Sequence, residues 1–141
     1  MLYIFLGFDG VLRRFTDPKF QLQKDLVENL CDDIKALETD VKIIVSSSWR
    51  EDLTLPKLKS HVGRTLSSYI VDTTPTAPES YQNYIREREC MAWLRKHSLA
   101  DGHRYLAIDN QEEQFHDMPL LIVNPTFGFQ KNQLIDFVKR I

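Results

Sequence analysis

The sequence is poor in cysteine and in long apolar runs, and each shortage excludes a class of protein. Its two cysteines, Cys31 and Cys90, form no CxxC pair, so neither a disulfide framework nor a cysteine metal site is indicated. We expect both to be buried apolar thiols in a reducing compartment. The apolar residues 1–6 are too few to span a membrane and no basic flank precedes them, so we expect a cytoplasmic protein without a membrane partner.

The chain also lacks an excess of charge of either sign. Eighteen basic residues stand against twenty acidic ones, which gives a formal net charge of −2. This balance argues against an overall basic coat for nucleic acid, although a local basic patch around a site is compatible with it. With 43% hydrophobic residues and no repeat or linker, the 141 residues predict a single globular domain, residues 1–141.

Apolar patterns predict strands and helices that alternate along the chain. We predict strands over residues 2–8, 41–45, 69–71, 104–108 and 120–123, and helices within residues 22–37, 55–62, 84–97 and 134–141. Gly63 is expected to end the second helix. The alternation predicts an α/β fold with a parallel sheet of about five strands covered on both faces. Ligands of such sheets bind beyond the carboxyl ends of the strands.

Four short motifs lie at these predicted strand ends and helix starts. In chain order they are Gly7-Phe8-Asp9-Gly10-Val11-Leu12, Ser46-Ser47-Ser48-Trp49-Arg50, Arg86-Glu87-Arg88-Glu89 and Asp109-Asn110. Their order resembles the four motifs of the haloacid dehalogenase (HAD) superfamily of phosphatases. The second and third motifs resemble the small HAD domains of Swiss Army Knife RNA repair proteins. The resemblance covers nearly the whole chain and implies a three-layer Rossmann-like fold without a large cap domain.

The resemblance also implies an activity, that of a Mg²⁺-dependent phosphate monoester hydrolase. In that reaction a carboxylate at the position of Gly7 attacks phosphorus, and Asp9 protonates the leaving oxygen and later activates water. Ser46 and Ser47 would bind phosphate oxygens, and Arg86 would neutralise developing charge.

By the same resemblance, the metal ion would lie between the side chain of residue 7, the carbonyl of Asp9 and the carboxylate of Asp109. Gly7 has no side chain, so it supplies neither the nucleophile nor a metal ligand. We therefore expect impaired catalysis and weakened Mg²⁺ binding.

Two explanations of Gly7 stay open at this stage. In the first, an aspartate was changed to glycine in an otherwise working phosphatase, because Asp9, Ser46, Arg86 and Asp109 are all present. In the second, the glycine is natural and the protein is a non-catalytic phosphate-binding or interaction module. A less favoured third explanation is a hydrolase in which Asp9 activates water directly.

Several of these residues also have purely structural interpretations. Asp9 with the following glycine is a common turn signal, and Ser48 is a candidate N-cap for the segment after it. Arg88 competes with Arg86 for the site, and we predict Arg86. Trp49 is predicted to pack rather than to contact substrate. Arg50 is predicted either to contact substrate or to pair with an acid at the surface.

The expected partner is a phosphorylated group that is carried on a large molecule. Only about ten residues separate the first motif from the first helix, which is enough for a hairpin flap but too short for a cap domain. An open site suits nucleic-acid ends or phosphoproteins better than small metabolites, and the family resemblance favours nucleic acid. The oligomeric state is not predicted.

Overall fold

The computed structural model describes residues 1–78 and 83–141, and its strands and helices alternate as predicted. The strands are β1 (Leu2–Leu6), β2 (Val41–Val45), β3 (Ile70–Thr73), β4 (Arg104–Asp109) and β5 (Leu120–Ile122). The helices are α1 (Lys24–Ala36), α2 (Leu55–Ser67), α3 (Ile85–Lys96) and α4 (Gln133–Arg140), with short 3₁₀ helices at Ser48–Glu51 and Glu112–Gln114.

The five strands form one parallel sheet in the order β3-β2-β1-β4-β5. Every residue of β1 is buried, which explains its uninterrupted apolar sequence, because a central parallel strand faces protein on both sides. The chain passes from β1 to β2 on one side and later enters β4 on the other side. The strand order therefore reverses beside β1, where open α/β sheets form their ligand crevice.

Helices cover both faces of the sheet, which confirms the predicted three-layer fold. On one face α1, α2 and α4 pack together, and Leu30, Leu58 and Leu134 join the larger core cluster. On the other face α3 contributes Cys90 and Trp93 to a second cluster of buried residues. No helix within residues 1–78 and 83–141 is long and apolar enough to cross a membrane.

Three local expectations differ from the structure. β1 ends at Leu6, because the Phe8 carbonyl accepts the backbone N–H groups of two later residues and turns the chain. Gly63 has φ 81° and kinks α2, but helical structure resumes and buries Leu66, so this glycine does not end the helix. Residues 14–22 are turns and irregular structure, and Arg13 forms only an isolated bridge with Asp9, so this segment is a loop rather than a hairpin.

Both cysteines are free and buried, as the sequence predicted. Burial raises the pKa of the Cys31 thiol, and it raises the pKa of the Cys90 thiol well above its ordinary value. A thiol with a raised pKa is a poor nucleophile, so both side chains act as apolar packing groups.

A buried carboxylate ties α1 to the start of α4. The two oxygens of Asp33 accept hydrogen bonds from the backbone N–H groups of Asn132 (2.9 Å) and Leu134 (3.0 Å). Asp33→Ala should lower the free energy of unfolding by about 1–3 kcal/mol, because buried donors lose their acceptor. The neighbouring exposed Asp32→Ala is the matched control and should change it by less than about 0.5 kcal/mol. Urea denaturation measures the free energy of unfolding of both variants. Equal losses in the two would contradict the role of Asp33 at the start of α4.

Candidate functional site

Gly7 lies where β1 ends against β4. Its backbone N–H donates to the Ile108 carbonyl (2.9 Å), which continues the ladder between the two strands. A Cβ atom on residue 7 would lie 2.8 Å from Oδ2 and 3.1 Å from Cγ of Asp109. The Asp109 carboxylate therefore occupies the space beside Gly7, and any larger residue at position 7 would require this carboxylate to move.

Asp109 is a buried carboxylate at the end of β4, with 5% of its surface exposed. Its Oδ1 accepts the backbone N–H groups of Asn110 (2.7 Å) and Gln111 (3.1 Å). Burial raises the pKa of the Asp109 carboxyl above its ordinary value, and these two hydrogen bonds and the charge of Arg86 oppose the rise.

The side-chain amide of Asn110 joins the two acidic positions. In the amide orientation that matches donors to acceptors, its nitrogen donates to the Asp9 carbonyl oxygen (3.0 Å) and to Oδ1 of Asp109 (3.2 Å). Asn110 therefore holds the first and last motifs together through a neutral hydrogen-bond donor.

Asp9 is held by two side chains that can only donate hydrogen bonds. The indole Nε1 of Trp49 lies 3.2 Å from each carboxylate oxygen, and Nη1 of Arg13 lies 3.3 Å from Oδ1. Arg13 is buried and also donates to the carbonyls of Asp17 and Pro18, so it links Asp9 to the loop after β1. Asp9 itself keeps 48% of its side chain exposed.

The serines after β2 have different environments. Ser46 is buried, and its hydroxyl has no hydrogen-bond partner among the residues that the structure describes. Ser47 caps the 3₁₀ helix at Ser48–Glu51 by accepting the Trp49 N–H (3.2 Å), so the expectation that Ser48 is the cap is wrong. The cap is displaced by one residue because the helix already begins at Ser48.

Arg86 reaches the site from the start of α3. Its Nη1 donates to the Ser46 carbonyl and lies 3.2 Å from Oε1 of Glu89, whereas its buried Nε has no partner among the described residues. Arg88 donates instead to the Asn83 carbonyl (2.8 Å) in an exposed position. The structure thus places Arg86, and not Arg88, next to the serine motif.

Arg50 fits neither of its two predicted roles. Its side chain is 2% exposed and pairs with the buried Glu89 (2.6 Å). It also donates to the carbonyls of Ser46 (3.1 Å) and Thr74 (3.1 Å). Burial lowers the pKa of Arg50, and the Glu89 charge opposes this. Arg50 therefore stabilises the loops after β2 and β3 from inside the protein.

One open cavity of about 170 Å³ collects most of the predicted site residues. Gly7, Asp9, Ser47, Arg86 and Asp109 line it, together with Asn110 and Phe15. Ser46 does not line the cavity, although its carbonyl binds Arg86. A larger cavity of about 650 Å³ lies between α1 and α2, away from these motifs.

A comparison with known families agrees with this arrangement. A family model described as the HAD domain in Swiss Army Knife RNA repair proteins matches residues 3–134. The chain belongs to this family. Comparisons with curated proteins and with solved structures gave no match.

HAD domains generally use Mg²⁺, but the residues at this site do not fit that ion. Gly7 offers no ligand, the Asp9 carbonyl accepts from Asn110, and Oδ1 of Asp109 accepts two backbone N–H groups. Within the described ranges, no cluster of three or more His, Cys, Asp or Glu side chains is placed to hold a metal ion. Among the described residues, Oδ2 of Asp109 is the one carboxylate oxygen at the base of the site for which no protein donor is assigned, so a Mg²⁺ ion here would have a single protein ligand and would otherwise depend on water.

Sequence reasoning missed Arg13 and the second role of Trp49. Trp49 packs, as predicted, because it is buried with its ring edge-on to Phe8 at a centroid distance of 5.3 Å. Its indole nitrogen also fixes Asp9, which packing alone does not indicate. The four-residue spacing of Asp9 and Arg13 was the available signal, but it is too common to indicate an ion pair by itself.

The buried Asp109 carboxylate should make stability depend on pH. Because its pKa is raised in the folded state, ionised Asp109 destabilises the fold at neutral pH, and this cost vanishes as pH falls through the folded-state pKa. Asp109→Asn keeps an acceptor oxygen and should therefore raise the free energy of unfolding at neutral pH. The difference from the unaltered chain should shrink in acid, measured by urea denaturation across pH without divalent cations. Replacing the exposed Asp117 by Asn is the control. A stability difference between Asp109→Asn and the unaltered chain that grows in acid would contradict this account.

Proposed function

We propose that residues 1–141 form one HAD-like domain that binds a phosphate monoester group but is impaired in hydrolysing it. The observation that carries this proposal is the packing of the Asp109 carboxylate against Gly7, 2.8 Å from the position of the missing Cβ. A covalent mechanism needs a nucleophile directed at phosphorus, and this position offers only backbone. The missing nucleophile supports slow turnover or none.

The surroundings of Asp9 argue against direct activation of water as a substitute route. Both carboxylate oxygens accept hydrogen bonds from Trp49 or Arg13, and neither donor has an acceptor atom to exchange protons with. These contacts fix the position of the carboxylate and link it to the loop after β1. This supports a structural role for Asp9 in the unaltered chain.

The phosphate-binding half of the proposal rests on unsatisfied donors. Among the described residues, the Ser46 hydroxyl and Nε of Arg86 are buried without a hydrogen-bond partner. Buried polar atoms are nearly always paired, so the Arg86 Nε at the cavity favours a bound ligand or ordered water, and the Ser46 hydroxyl lies behind the cavity lining. Arg86 lines the cavity and carries the positive charge that a phosphate oxygen requires.

The proposed partner is a phosphate carried on a macromolecule. The cavity of about 170 Å³ is open, and the loop before α1 is too short to enclose a small metabolite. The description of the family favours a nucleic-acid end. Phe15 lines the cavity and is 62% exposed, which supports stacking on a base next to the phosphate as part of this proposal.

Restoring the carboxylate at position 7 tests the loss of catalysis. In Mg²⁺, the unaltered chain should show negligible turnover of an aryl phosphate and of phosphorylated oligonucleotides. Gly7→Asp should raise turnover by at least roughly 10²-fold, a modest part of the ~10⁶-fold that a nucleophile can contribute, because Asp109 must first move aside.

Gly7→Asn is the matched control for Gly7→Asp, since it has the same size and no charge, and it should stay silent. Substantial turnover by the unaltered chain would contradict the proposal. Silence of Gly7→Asp on this panel would favour the alternative of a module that binds phosphate and has no catalytic machinery to restore.

Replacing each of the two arginines at the start of α3 in turn tests phosphate binding. Arg86→Gln should weaken binding of a 5′-phosphorylated oligonucleotide by about 10- to 100-fold, as expected for the loss of a hydrogen bond to a charged group. Arg88→Gln is the matched control and should bind within about threefold of the unaltered chain. Calorimetric titration measures the affinities, and an equal loss in both variants would contradict the assignment of Arg86.

A further inference from the structure

The oxygen atoms at the base of the cavity are largely satisfied by protein donors. Oδ1 of Asp109 accepts two backbone N–H groups, and the Asp9 carbonyl accepts the Asn110 amide at 3.0 Å. A divalent cation coordinated by these two oxygens would compete with the donors that already occupy their lone pairs. Coordination there would disturb the contacts that join the loops after β1 and β4.

The carboxylate oxygens of Asp9 also accept hydrogen bonds from protein donors. Trp49 and Arg13 approach it with donors at 3.2 and 3.3 Å, and Arg13 brings a full positive charge. A cation placed near this carboxylate would be repelled by the guanidinium that already neutralises it. Asp9 therefore adds little attraction for a metal ion.

The positive charge at the cavity comes from protein side chains. Arg86 lines the cavity, its Nε lacks a partner among the described residues, and its charge acts on the Asp109 carboxyl. Glu89 does not neutralise it fully, because the same carboxylate also pairs with Arg50 at 2.6 Å. Two guanidinium groups share the Glu89 carboxylate, so part of the positive charge of Arg86 acts on the cavity, where the Asp109 carboxylate partly offsets it.

We propose that this site takes a phosphate group without a divalent cation. Arg86 supplies the positive charge, and the Asn110 amide occupies the contact with the Asp9 carbonyl that a metal ion would otherwise make. This inference rests on the phosphate-binding function proposed above and adds to it the independence from metal. Gly7 explains the independence from metal, since it lacks the second carboxylate that would make a cation favourable.

The test is nuclear magnetic resonance of the ¹⁵N-labelled chain, with the backbone signals of residues 109–111 and the Trp49 indole signal as reporters. Mg²⁺ alone, titrated into the millimolar range, should leave these signals unmoved. Inorganic phosphate should shift them, with dissociation constants that agree within about twofold between Mg²⁺ and EDTA buffers. Gly7→Asp should become sensitive to Mg²⁺ in the same titration, and Gly7→Asn should not.

The outcomes separate this inference from the function on which it rests. Saturable shifts with Mg²⁺ alone, or phosphate binding at least about tenfold tighter in Mg²⁺, overturn metal independence and leave phosphate binding intact. Absence of phosphate shifts in both buffers overturns the phosphate-binding function and this inference with it. A response of Gly7→Asn equal to that of Gly7→Asp overturns the role assigned to the second carboxylate.

Discussion

The contact between the ends of β1 and β4 determines the rest of the site. The hydrogen bond from the Gly7 N–H to the Ile108 carbonyl sets the two strands side by side, so residue 7 faces the Asp109 carboxylate. Because Gly7 lacks a Cβ atom, that carboxylate lies against backbone and is buried. The Asn110 amide then reaches the Asp9 carbonyl and joins the first and last motifs. The cavity floor is thus held by hydrogen bonds among protein atoms.

A second constraint fixes the wall of the cavity. Glu89 lies between Arg50 and Arg86, and Arg50 donates to backbone carbonyls after β2 and β3. Buried charges are costly unless every polar atom finds a partner, so this group is better understood as fixing geometry than as adding stability. It holds the serine motif against α3 and orients Arg86 toward the cavity. The Nε of Arg86, which has no hydrogen-bond partner in the described part of the chain, is therefore held in place at this wall.

The order of strands and helices could be predicted from the sequence because buried parallel strands and amphipathic helices leave strong periodic patterns. The end of β1 and the continuation of α2 past Gly63 could not be predicted, because turn geometry and a single kink leave no periodic signal in the sequence. Motif order was enough to bring Gly7, Asp9, Arg86 and Asp109 to one sheet edge. The partners of these residues depend on side-chain contacts between distant segments, which is why the burial of Arg50 was missed.

Whether a metal ion is favourable at this site depends on which residue stands at position 7. An aspartate at position 7 would place a second carboxylate beside Asp109, and two adjacent carboxylates repel each other strongly unless a cation lies between them. With glycine there, the remaining carboxylate accepts two backbone N–H groups at Oδ1, and the nearby charge of Arg86 partly offsets the cost of its burial. A cation would then gain one ligand oxygen, Oδ2, instead of two carboxylates. We therefore propose that the same missing side chain accounts for the loss of both the nucleophile and the metal site, while Arg86 and Ser47, which do not depend on it, line the proposed place for phosphate.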